Sequence, residues 1–135
     1  MVGAPSHLLL AHPANAVFGW ASILTAFVTG AILGLRFHSE DFLGGYSAFR
    51  RRIVRLGHIA LAALGMLNVL YGIYPAPQAG TGPERIASIG LLAGGVLMPA
   101  VCFLTGWRAG FRQLFFLPVL CLVIAVSCII YGGLP

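Results

Sequence analysis

Long stretches almost free of charge alternate along this chain with short polar ones. From Ala14 to Leu35 no charged residue occurs. A helix needs about 20 apolar residues to cross a bilayer, so this stretch predicts a first span over about 14–36. The same pattern recurs over about 53–74, 84–106 and 114–131. The expected fold is therefore all-α: an integral membrane protein of four antiparallel transmembrane helices in an up-down bundle, forming one domain over residues 1–135. The polar connections are short enough to make sequential helices neighbours.

Within each span, the placement of small residues predicts which face is packed. Lipid tails are as apolar as leucine, so membrane helices associate by close backbone approach and interhelical hydrogen bonds. Pro13 can open the first helix, because its missing N–H is not needed in the first turn. Ser22, Ala26, Gly30 and Gly34 then recur every fourth residue as a packing stripe. In the second helix, at 100° per residue, Arg55, His58, Ala62, Gly65, Asn68, Val69 and Gly72 share one side. Ile59, Leu64, Met66, Leu67 and Leu70 take the other. The first set is expected to face inward and the second lipid. Tyr71 and Tyr74 suit an interface, and Pro75 and Pro77 end the helix.

The third helix opens on Thr81-Gly82-Pro83-Glu84, the spacing of a capping box. Gly90 and Gly94 form a second close-packing pair, Pro99 is expected to kink the helix, and Trp107 with Arg108 marks its end. Cys121, Ala125 and Cys128 make the small face of the fourth.

Composition agrees with the pattern. Of 135 residues, 59% are hydrophobic and only 8% are charged, against about 25% charged in water-soluble domains. The net charge of +5 is carried by arginine alone. These arginines flank spans instead of building a basic face, so they read as topology signals and not as a nucleic-acid surface. Arg36, Arg50, Arg51, Arg52, Arg55, Arg108 and Arg112 fall on one side, and Arg85 on the other. The positive-inside rule then sets both termini outside a bacterial inner membrane and the arginine-rich connections in the cytoplasm. Met1 to Ser6 lack the positive region of a cleavable signal, so the first span is expected to be retained. No soluble domain is expected beside the spans. The three cysteines lie in spans without C-x-x-C spacing, so no disulfide framework is expected.

In the connection over 36–52, Glu40 and Asp41 are expected to pair on the surface with Arg50 to Arg52. Phe42, Leu43, Tyr46 and Phe49 suit a short interfacial helix.

His58 is the candidate for chemistry. It lies about 9 Å beyond Arg52 at 1.5 Å per residue, and an ionisable group inside a span points to function. A neutral imidazole is the usual axial ligand of haem b, and membrane bundles hold haem between helices. Gly57, Ala62 and Gly65 would leave room for the macrocycle, and Arg55 could meet a propionate. Cofactor-binding candidates are thus His58, Arg55, Asn68 and His38. A second axial ligand is not evident. His38 is in the connection, Cys102 is at similar depth, Met98 and Met66 lie deeper, and His7 and His12 are at the opposite end. The plainer alternative is that His58 hydrogen-bonds a neighbouring helix, with Asn68 serving likewise. Contact with a quinone or a lipid headgroup is a third.

His7 and His12 lack a third ligand, so no metal site is expected. Neither Glu40 nor Asp41 has the buried pocket that acid–base work needs, and no carboxylate lies within a span, as proton-coupled carriers require. No nucleophile elbow or phosphate loop is present. A channel lining would reduce to Arg55, His58, Asn68, Thr25 and Thr29. The function expected is that of a non-catalytic accessory or assembly subunit of a larger inner-membrane complex, respiratory or otherwise redox. It would contact the lipid bilayer and other membrane-protein subunits. The alternative is a small electron-transfer protein with haem b on His58.

Overall fold

The structure, a computed structural model, describes residues 10–74 and 80–132. His7, Pro75 and Pro77 lie outside the described residues. The described residues are helical, without strands. Helix α1 covers Pro13–Phe37, α2 Phe49–Ile73, α3 Gly82–Trp107 and α4 Phe116–Tyr131. Taken with the 3-10 segment Ala109–Phe115 that leads into α4, four stretches are long and apolar enough to cross a membrane.

Two boundaries depart from expectation for local reasons. Helix α2 begins at Phe49, so the arginine triplet lies inside its first turn. Arginine is a good helix former, and Arg50 and Arg51 find acceptors on neighbouring helices. Helix α4 begins at Phe116, not near Leu114. An α-helix running through Leu114 would need an N–H from residue 118, which is proline. The chain therefore winds as a tighter 3-10 helix up to Phe115 and places Pro118 in the first turn of α4, where no N–H is required.

Helices α1 and α2 meet along a seam of small residues. Gly72 lies against Ala16, Gly65 against Gly19, and His58 against Gly30, so positions fall along α2 as they rise along α1. A Cβ on Gly19 would stand 2.6 Å from the Gly65 carbonyl oxygen and 2.7 Å from Val69 N. Those are backbone atoms and cannot yield cheaply. The expected stripe is thus real over Ser22, Ala26 and Gly30, but it stops there. Gly34 is exposed with nothing within 4 Å. Beyond Gly30 the contact passes to Phe37 with Arg51 and Arg55, side chains too large for the backbones to touch.

Gly57 opposes Cys102 and Phe103, and Gly106 opposes Val54, which joins α2 to α3. The Gly90–Gly94 pair faces α4: Gly90 meets Ala125 and the Cys121 carbonyl, and Gly94 meets Leu122. Helices α1, α2 and α3 form a cluster. Helix α4 rests on α3, and among the described residues it makes no comparable interface with α1 or α2. Only Pro118 and Ala125 of α4 are buried. On α2 the expected sides hold. Gly65, Asn68 and Gly72 are buried, whereas Ile59, Met66, Leu67 and Leu70 are exposed. Leu64 is half-buried instead of exposed.

Candidate functional site

Polar side chains inside the helices gather in three places. The first is a closed circuit across α1, α2 and α3. Asn15 Nδ2 donates to Asn68 Oδ1 at 2.8 Å and to the Ser88 carbonyl at 3.3 Å. Ser88 Oγ donates to Asn15 Oδ1 at 2.5 Å. Asn68 Nδ2 donates to the Leu64 carbonyl at 2.9 Å and the Leu91 carbonyl at 3.2 Å. Each amide therefore uses both N–H groups and its oxygen, and both asparagines are fully buried. Gly95 makes the space, since a Cβ there would meet Phe18 and come 3.2 Å from Asn68 Nδ2. Just beyond the circuit, His12 Nε2 lies 3.0 Å from Glu84 Oε1. That is an ion-pair distance, though the alignment is not that of a hydrogen bond. The His12 ring stacks on Tyr71 with centroids 4.4 Å apart. Glu84 also accepts from Gly80 N–H. Thr81 makes no side-chain cap, so the expected capping box is replaced: the carboxylate turns to His12 and Gly80.

The second place is His58. Its Nδ1 is 3.2 Å from Thr29 Oγ1. Thr29 has one hydroxyl proton, and that oxygen also lies 2.8 Å from the Thr25 carbonyl and 3.1 Å from the Ala26 carbonyl. With that proton on a carbonyl, Thr29 Oγ1 accepts from His58 Nδ1–H; with it turned to the ring, an unprotonated Nδ1 accepts, so the tautomer decides the direction. Among the described residues His58 Nε2 makes no hydrogen bond. The ring sits in a notch left by Gly30, where a Cβ would be 2.8 Å from Cε1.

The third place is the end where α1 and α3 finish and α2 begins. Arg50 Nε donates to the Gly106 carbonyl at 2.7 Å, and Arg51 Nη2 to the Phe37 carbonyl at 2.8 Å. Both acceptors lie in last turns, where carbonyls lack intrahelical donors and the helix dipole is negative. Positive charge at the start of α2 is unfavourable for α2 alone, but the neighbouring helix ends offset it. This also overturns the expected pairing of Glu40 and Asp41 with Arg50 to Arg52. Both carboxylates are exposed, and among the described residues no guanidinium comes within ion-pair distance of one.

The four candidate residues do not form one site. Asn68 is ten positions from His58, about 15 Å along α2, and belongs to the amide circuit. Arg55 stands 5.7 Å from the Phe37 and Tyr46 ring centroids. His38 follows α1 and lines a cavity with Arg51. Cys102 packs on Gly57, the residue beside His58, but from α3, while His58 turns to α1. Among the described residues no three His, Cys, Asp or Glu side chains cluster as a metal would need.

The sequence reading passed over Asn15 and Ser88. The signal for Asn15 was available, a lone amide near the start of an uncharged span. Ser88 gave none, because serine is unremarkable in a membrane helix. Comparison with known protein families, curated proteins and solved structures returns no match for this chain.

Proposed function

We propose that this chain is a non-catalytic subunit of a larger inner-membrane assembly, respiratory or redox in character. Its helices would cross the bilayer in alternating directions, with both termini outside and the arginine-rich connections in the cytoplasm. Support for the orientation comes from the bonds of Arg50 and Arg51 to Gly106 and Phe37, which gather the connections richest in arginine at one end.

The observation that carries the subunit reading is where the buried polar groups go. Asn15, Asn68 and Ser88 bond one another, so polarity inside the helices joins helices. Helix α4, which among the described residues packs chiefly on α3, leaves most of a very apolar surface for lipid or other subunits. Extraction in mild detergent followed by native electrophoresis and protein identification tests this. Co-migration with other membrane proteins is expected, and a stable solitary monomer overturns it.

A second reading has one specific observation behind it. In the tautomer whose Nδ1–H donates to Thr29, His58 has Nε2 to offer a haem iron, and a helper bond on the other ring nitrogen is the usual arrangement around a metal. Arg55 and His38 lie toward the arginine end of the same helices, but among the described residues no second histidine accompanies His58 at its depth. Haem b would therefore have one axial ligand from this chain. A Soret band in the purified protein, lost in His58→Ala, is the result this reading expects. A colourless, folded protein disposes of it.

A further inference from the structure

We infer that the arginine end of α1 and α2 binds the phosphodiester of an anionic phospholipid. Between Arg36 and Arg55 stand five arginines and two carboxylates, Glu40 and Asp41, a net charge of 5 − 2 = +3. Among the described residues none of the five is within ion-pair distance of an acid. The carbonyls that receive Arg50 and Arg51 satisfy N–H groups but carry no formal charge. That leaves the positive excess open to an anion from outside the chain.

Arg51 makes the requirement local. Its side chain is only 3% exposed, and its Nε is buried without a partner. A cation withdrawn from water this far is costly unless an opposite charge approaches. Arg51 lines a cavity of about 580 Å³ with Phe37, His38, Glu40 and Tyr46. Its Cζ lies 4.5 Å from the Phe37 centroid and 5.2 Å from that of Tyr46. Arg55 stands over the same two rings. Two guanidiniums are thus held beside a pair of rings, with little rotamer freedom left to lose on meeting a phosphate. Helix α2 also begins without a side-chain cap, so first-turn N–H groups add to the positive field.

Glu40 shapes the selectivity. It faces the same cavity and repels a multiply charged free anion. A phosphodiester carries one negative charge, and a headgroup hydroxyl can donate to the carboxylate. Leu35 and Ile32, exposed on the last turns of α1, offer apolar surface for the acyl chains. The lipid site depends on the bilayer placement proposed above, but not on the subunit role, the leaflet or any haem.

Native mass spectrometry of the purified protein in detergent separates the outcomes. Phosphatidylglycerol should be retained at least about fivefold better than phosphatidylcholine of the same chains, the factor expected of one arginine near an anionic headgroup. Arg51→Gln should remove that preference. Should Arg51→Gln fail to fold, Arg55→Gln serves, since among the described residues Arg55 makes no hydrogen bond; it should lower retention severalfold with a melting midpoint close to that of the parent. Glu40→Gln should raise retention. Equal retention of the two lipids, or a preference that survives both arginine variants, overturns the site. Inorganic phosphate raising the melting midpoint as much as phosphatidylglycerol also overturns it, in favour of a free anion.

Discussion

The amides of Asn15 and Asn68 and the guanidiniums of Arg51 and Arg55 are all polar groups on long apolar helices, yet they are satisfied in opposite ways. The amides close a circuit within the chain, using Ser88 and two carbonyls of neighbouring turns. The guanidiniums find rings and one carbonyl but no acid. A neutral amide needs only hydrogen bonds, which a neighbouring helix can supply in full. A cation needs charge as well, and among the described residues no carboxylate comes within ion-pair distance of these arginines. Polarity at the amide circuit therefore serves cohesion, and at the arginine end it serves contact with the surroundings.

Substitutions can break that contrast in order of size. Asn68→Leu should cost the most, about 1–3 kcal/mol, because it leaves Asn15 with a buried N–H unanswered. A fall in the thermal midpoint in detergent measures it, and no fall would mean the circuit adds nothing to cohesion. Arg50→Ala should cost about 1 kcal/mol, the low side for a charged donor because the side chain is exposed. It should be read in the same assay with phosphatidylcholine only, so that lipid charge does not intrude. Glu84→Gln should cost less than about 1 kcal/mol, since the amide oxygen can still accept from Gly80 N–H and only the charge toward His12 is lost. Glu40→Gln should leave stability within about 0.5 kcal/mol of the parent, as expected for an exposed, unpaired side chain. A large loss there would mean that Glu40 does pair with an arginine, and the contrast would fail.

The four long apolar helices were legible because a membrane-crossing helix is so tightly constrained: about 20 apolar residues are needed, and few sequences supply them by accident. The inward side of α2 was legible too, since Gly65, Asn68 and Gly72 repeat at helical spacing. Partners were not legible. Periodicity says which side of a helix packs, not which helix it meets. Thus Gly90 and Gly94 were recognisable as a packing pair while their partners on α4, Ala125 and Leu122, were not. Glu84 and the arginines were misassigned for one reason. Sequence proximity suggested Thr81 and Glu40 as partners, whereas the folded chain brought His12, Phe37 and Gly106 closer. Thr29 as the partner of His58 was out of reach altogether, because spacing along one helix does not name the side chain it meets on another.

The one-sided seating of α4 bears on how the protein is made. The knot of Asn15, Asn68 and Ser88 can tighten as soon as α3 has left the ribosome, before α4 is available. Helix α4 would then come as a greasy stave, with Leu122 and Ala125 fitting the dents at Gly94 and Gly90. Gly94→Leu would fill the dent, and the trio should mature normally while the last stave drifts in the bilayer.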